Sequence, residues 1–243
     1  MWQSHEALRR SVLALESARL QRSGASHRRH TRALLAALWL ALPAAGEPRT
    51  GESPATLEAL MRGMAGASGV EARFREEKRL ALLSEPIESR GTLYFVPPNR
   101  LCRETQEPSA SRLVIDGDRV SFRDAAGGGQ AVDLSASPIA REYVANFVVL
   151  FGGDLDALRK RYEPHFRADA RGWTLELVPR AARLREFITR VTLAGRGRAL
   201  ERMEMIEAGG DRTTTWFEAV RSDRVFSDAE LARIFSEPSA PAR

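Results

Sequence analysis

A single cysteine, Cys102, excludes any internal disulfide in this chain of 243 residues, so cohesion must come from packing. Cys102 itself reads as a small buried apolar residue. Histidine is nearly as scarce: His5, His27 and His30 lie in the first 30 residues, and His165 is the only other. A histidine metal cluster is therefore excluded, and His165 is expected on a strand surface. Gly127, Gly128 and Gly129 lack a following lysine and a strand-turn-helix setting, so they are expected to form a surface loop without phosphate-binding capacity. Gly66-Ala67-Ser68-Gly69 lacks the spacing of a nucleophile elbow. Asp116/Asp118 and Asp154/Asp156 fall at a turn and a helix start, where local roles account for them. With no plausible acid, base, nucleophile or metal set, the chain is expected not to be an enzyme and to need no cofactor.

A long hydrophobic run is also missing. The stretch from Ala33 to Ala45 holds 13 residues, against roughly 20 for a membrane span. It follows Arg28, Arg29 and Arg32 and ends in Ala44-Ala45-Gly46, the order of a cleaved secretory signal peptide. Residues 1–27 are long for such a leader and are expected to reflect a misassigned start, with the true one near Val12. The expected division is a leader over 1–46, one domain over 47–236 and a disordered tail over 237–243.

Beyond the leader, an excess of one charge is absent too. The formal net charge is +5, from 37 basic and 32 acidic residues. Seven arginines and two glutamates belong to residues 1–46, so the remainder holds 30 of each sign. That balance argues against a nucleic-acid partner, which calls for clustered cationic charge.

What is present is alternation. Apolar and polar residues alternate over 70–82, 87–96, 100–106, 111–116 and 119–124, and again over 165–169, 172–179, 185–194, 199–208 and 212–221. Asp116-Gly117 predicts a tight hairpin with positive φ at both central residues. Turns at Arg171-Gly172, Gly195-Arg196-Gly197 and Gly209-Gly210 predict a meander. Ser53-Pro54 predicts the cap and first turn of a helix carrying Leu57, Leu60, Met61 and Met64. A helical insertion is expected from Ser137-Pro138, with Ile139, Tyr143, Phe147, Leu150 and Phe151 on one face and a second helix through Leu155, Leu158 and Tyr162. Ser227 or Asp228 caps a closing helix that ends near Phe235. The strands share an apolar face: Leu93, Phe95, Leu113, Ile115, Val120, Phe122, Trp173, Leu175, Leu177, Met203, Met205 and Phe217. For any single residue ordinary sheet core is the favoured reading; few, short helices and adaptable methionines add weight to the other, the lining of a cavity.

Several local strings resemble the outer-membrane lipoprotein carrier protein (LolA) family. They are Phe74 in an early strand, Gly91-x-Leu93-Tyr94 before Pro98, and Leu113-Val114-x-Asp116-Gly117 with Val120. Residues 188–221 resemble the family's closing hairpins, and the order of elements agrees over about 53–235. The resemblance implies an α+β, mainly β fold: a strongly curved antiparallel half-barrel with short helices forming a lid, preceded by a signal peptide. It implies a periplasmic monomer that shields lipoprotein acyl chains in an apolar cavity. Its partners would be an inner-membrane LolCDE-like transporter and an outer-membrane LolB-like acceptor, with transient contacts at membrane surfaces. Ile139, Tyr143, Phe147, Leu150 and Phe151 would form the lid. The family's lid-latching arginine directly precedes the loop proline; Pro97 stands there in this chain, and Arg100 and Arg103 are the candidates to replace it at the entrance. Two alternatives are a carrier of another lipid, such as a glycolipid or polyene lipid, and a non-enzymatic protein-binding sensor or assembly module on the same fold.

Overall fold

Eleven strands pair into one antiparallel sheet in the computed structural model, which describes residues 54–126, 129–135, 148–149 and 151–236. The first run comprises β1 (Val70–Arg79), β2 (Ile87–Val96), β3 (Arg100–Glu107), β4 (Ser111–Asp116), β5 (Arg119–Asp124) and β6 (Gly129–Asp133). The second comprises β7 (Tyr162–Asp169), β8 (Gly172–Pro179), β9 (Ile188–Arg196), β10 (Ala199–Glu207) and β11 (Arg212–Arg221). Each run is a meander, and the pairing of β1 with β11 joins them, giving the order β6-β5-β4-β3-β2-β1-β11-β10-β9-β8-β7. The result is the strongly curved open half-barrel expected, with short helices that include, among the described residues, α1 (Leu57–Ala65), α2 (Leu155–Arg161), α3 (Ala182–Arg185) and α4 (Asp228–Phe235).

Several local expectations are corrected. Thr56, rather than Ser53-Pro54, caps α1: its backbone is extended and its Oγ1 accepts a hydrogen bond from Ala59 N at 3.2 Å. Gly129 is not loop but the first residue of β6, because the free edge of β5 offers backbone partners that outweigh glycine's weak strand preference. Tyr162 leaves the helix and opens β7, opposite Pro179. The β8–β9 connection holds the helical turn α3, so β9 starts at Ile188. The β4–β5 turn is built on Gly117-Asp118, with positive φ recorded at Gly117 and not at Asp118. A glycine at the first central position satisfies that geometry alone. The leader, the segment from Ser137 to Phe147 and the tail lie outside the described residues.

Strand alternation creates two apolar layers of unequal size. The larger contains Phe74, Leu93, Phe95, Leu101, Ile115, Trp173, Leu175, Leu177, Val191, Leu193 and Phe217, covered by Leu57, Leu60 and Met61 of α1 and by Leu158 and Leu184. The smaller lies on the opposite face, where Cys102 and Val114 pack against Ile234 and Phe235 of α4. Ser227 and Glu230 form a capping box on α4. The hydrogen bond from Ser227 N and the nearby Arg224 hold the Glu230 carboxyl below the usual carboxylate range. At the other end of α4, Arg112 donates to the carbonyls of Arg233 (2.7 Å) and Ile234, a cation where the helix dipole is negative.

Cys102 is fully buried in that outer layer, and burial pushes its thiol up to about 11. The thiolate is the reactive form, so an alkylating reagent at pH 8 should leave the folded protein unmodified and label it fully in denaturant. Rapid native-state labelling, read by intact mass, would show that α4 leaves the sheet.

Candidate functional site

Register places the predicted lining residues on one face of the sheet. One cross-strand row runs Val70, Phe95, Leu101, Ile115 and Val120; the next runs Ala72, Leu93, Arg103, Leu113 and Phe122. Phe217 stands opposite Phe74 across the β1–β11 joint. On the second run, Met203 faces Leu193 and Leu193 faces Leu175, while Met205 faces Val191 and Val191 faces Leu177. Trp173 stands opposite Gly195 and donates from Nε1 to Gly197 O at 3.0 Å. Leu113, Val120, Phe122, Met203 and Met205 are half-buried, and the other predicted lining residues are buried. Of the predicted lid, Phe151 is half-buried and packs on Phe95, ring centroids 5.9 Å apart; Ile139, Tyr143, Phe147 and Leu150 lie outside the described residues.

The face is largely filled from within. Phe95 and Leu177 are 0 % exposed. A cavity of about 40 Å³ remains beside α1, lined by Met64, Ala72, Leu93, Phe151, Leu200 and Phe217 among others. That is room for a few water molecules, so at this cavity an acyl chain must displace a side chain or a helix to enter. One such cover is α1, nine residues long and seated on the sheet by one apolar face through Leu57, Leu60 and Met61.

The two entrance candidates part company. Arg100 turns to the outer face, where it makes paired hydrogen bonds to Asp116 (2.8 and 3.1 Å) and stacks over Phe235 of α4. Arg103 turns inward. Its guanidinium lies 4.4 Å from the Phe74 ring centroid and donates to Glu76 at 2.7 Å and to Ser89 at 3.4 Å. Gly91 makes that path available: a Cβ there would come within 1.9 Å of Glu104 O and 2.9 Å of the Phe74 ring.

Glu76 is a candidate site residue absent from the apolar face expected from the sequence. It is buried on the inner face and also accepts from Thr215 Oγ1 at 2.7 Å. Ser89, Glu76 and Thr215 form a polar row that continues directly into Met203, Leu193, Leu175 and Phe166. The neighbouring row holds Lys78 and Thr213 and continues into Met205, with Glu207 3.8 Å from Lys78. The signal was present in the period: Glu76 and Lys78 continue the inward phase of Ala72 and Phe74 along β1.

Among the described residues, no group of three or more His, Cys, Asp or Glu could hold a metal ion. None of the described helices is long and apolar enough to cross a membrane. His165 is exposed on β7, 3.6 Å from Glu163.

Residues 65–232 match the family described as outer membrane lipoprotein carrier protein LolA. No curated protein matches the chain. Among solved structures, it is similar to a LolA superfamily protein from Nitrosomonas europaea at 11% identity, over 75% of this chain and 98% of the other, with a TM-score of 0.41. A putative outer membrane lipoprotein-sorting protein domain from Vibrio parahaemolyticus is 12% identical over 73% of this chain and 95% of its own, TM-score 0.38. MucB in the Pseudomonas aeruginosa MucA/MucB complex is 12% identical over 72% of this chain and 60% of its own, TM-score 0.45.

Proposed function

Since the chain belongs to the outer membrane lipoprotein carrier protein LolA family, we propose that it is a periplasmic carrier that shields lipoprotein acyl chains during transfer from the inner to the outer membrane. In this reading residues 1–46 direct export and are removed. The observation that carries the proposal is the cover on the concave face: a short helix, α1, seated on a continuous apolar surface.

The magnitudes favour exchange. At about 0.8 kcal/mol per buried methylene, a 16-carbon chain gains roughly 12 kcal/mol on leaving water. The helix contributes three buried side chains, Leu57, Leu60 and Met61, each worth roughly 2 kcal/mol. Cargo can therefore displace α1, while the returning helix lowers the net affinity enough to allow release. No nucleotide is needed on the carrier for such an exchange. The lid residues Ile139, Tyr143, Phe147 and Leu150 would join α1 as competing cover, and LolCDE-like and LolB-like partners would supply and receive the cargo.

The test is displacement of a fluorescent acyl probe from the purified protein by a diacylglyceryl lipopeptide, together with the mass of the mature N-terminus from cells. Saturable displacement and a chain beginning near residue 47 are expected. Absence of probe binding would overturn the carrier reading and favour a protein-binding module, which the small resting cavity also suits. Displacement by free glycolipid or polyene lipid but not by lipopeptide would redirect the cargo to another lipid.

A further inference from the structure

The concave face changes character along a single direction. From Leu193 through Met203 it is apolar, and at Thr215, Glu76 and Ser89 it becomes polar within two strands. Arg103 reaches into this polar end over Phe74, and Lys78 and Glu207 form a second charged pair one row away. Adjacent rows are about 7 Å apart along a strand, twice the rise per residue. An amphiphile lying across the strands would thus meet hydrocarbon and hydrogen-bonding groups within the length of its own headgroup junction.

We propose that Glu76, Arg103 and Thr215, with Lys78 beside them, form a subsite for the uncharged hydrogen-bonding end of an amphiphile, such as the ester of an acylglycerol. The tail runs from there along Met203 towards Leu193. This inference rests on the carrier reading and adds the polarity and direction of the bound molecule.

Three observations carry it. First, the groups are inward-facing, and the Glu76 side chain is only 10 % exposed. Apolar side chains of similar size would hold a sheet together at least as well as a buried ion pair, so cohesion alone does not call for charge here. Second, Glu76 and Glu207 balance Arg103 and Lys78. A free carboxylate or ammonium entering this end would lose its water without meeting an uncompensated opposite charge. An ester carbonyl or hydroxyl is content with a single donor or acceptor. Third, Met203 and Met205, which border the polar rows, are half-buried and conformationally adaptable, whereas Leu175, Leu177, Val191 and Leu193 beyond them are buried. Glu76, Thr213 and Thr215 on their other side are buried too, so the two methionines form the yielding boundary between a buried polar end and a buried apolar one.

Competition by monopalmitoylglycerol, palmitate and hexadecylammonium, each below its micellar concentration, tests the proposal, because the three share a tail and differ in head charge. The wild-type protein should prefer the glycerol ester by about tenfold over both ions. Glu76→Gln leaves a positive excess and should shift the ranking about tenfold towards palmitate; Arg103→Gln should shift it equally towards the ammonium. The double variant Glu76→Gln/Arg103→Gln restores balance and should restore the ester preference. Equal binding of all three heads by the wild type overturns the subsite, and needs no variant to fold. So does an unchanged ranking in single variants whose circular dichroism and melting remain cooperative, which would make the cluster purely structural. If none of the three binds the wild type, the carrier reading itself fails.

Discussion

Leu60→Ala is expected to destabilise the protein by about 2–5 kcal/mol and, in the same protein, to tighten acyl-probe binding by about thirtyfold or more, at a factor of ten per about 1.4 kcal/mol. The two effects have one cause. Leu60 is 1 % exposed at the centre of the buried face of α1, between Leu57 and Met61. A helix of nine residues has little stability of its own in water, so its hold on the sheet depends on those side chains. Removing three carbons weakens the resting cover and leaves the sheet intact. A ligand that needs the uncovered state binds with an apparent affinity scaled by the fraction of molecules in that state, so raising the fraction about thirtyfold tightens binding by the same factor. Val114→Ala is the control. Val114 is buried in the outer layer against α4, and its truncation should lower stability without altering affinity. Denaturant midpoints and probe titrations on the two variants decide the matter. If Leu60→Ala weakens binding along with stability, α1 is part of the binding surface and not its competitor.

Phe95→Ala carries the largest purely structural effect, a loss of about 3–5 kcal/mol. The ring is completely buried, lies in the row between Val70 and Leu101, and packs on Phe151. It therefore joins the first meander to the segment preceding α2. Domains of ordinary stability hold about 5–15 kcal/mol in total, so this substitution should move the urea midpoint by about a fifth of its value or more. An unchanged m-value would show that the unfolding reaction remains the same. A loss below about 1 kcal/mol would mean that water or a mobile segment already occupies the space around the ring.

Strand limits were the most legible feature of the sequence. The expected spans 87–96, 111–116, 119–124, 172–179 and 212–221 coincide with β2, β4, β5, β8 and β11, because alternation is a local pattern and the turn residues that interrupt it are local too. Elements without such a pattern escaped. β6 is short, begins at Gly129 and sits at the edge of the sheet, so it exists through its partner β5 rather than through its own composition. The cap of α1 was misplaced by three positions because Ser53, Pro54 and Thr56 are all acceptable near a helix start, and only the backbone geometry selects Thr56.

The candidate site was legible in its apolar part and not in its polar part. A period of two separates a strand's side chains into two sets but does not say which set faces the concave side. β3 shows the ambiguity: Leu101 and Cys102 are adjacent, both buried, and on opposite faces, one under the main core and the other under α4. For the same reason Arg100 and Arg103 looked equivalent until register put one beside Asp116 and the other beside Glu76.

By itself, then, the sequence determined the number and limits of most strands, the short turns that make them meander, and the two sets of side chains each strand presents, since all of these follow from interactions between residues a few positions apart. The tertiary structure decided that β1 lies against β11, which set of side chains is enclosed, and that Glu76 and Arg103 meet there. Those outcomes depend on groups beyond one another's local reach in the chain: β1 meets β11 only through pairing across the whole domain, and Glu76 meets Arg103 only through the register and curvature of β1, β2 and β3.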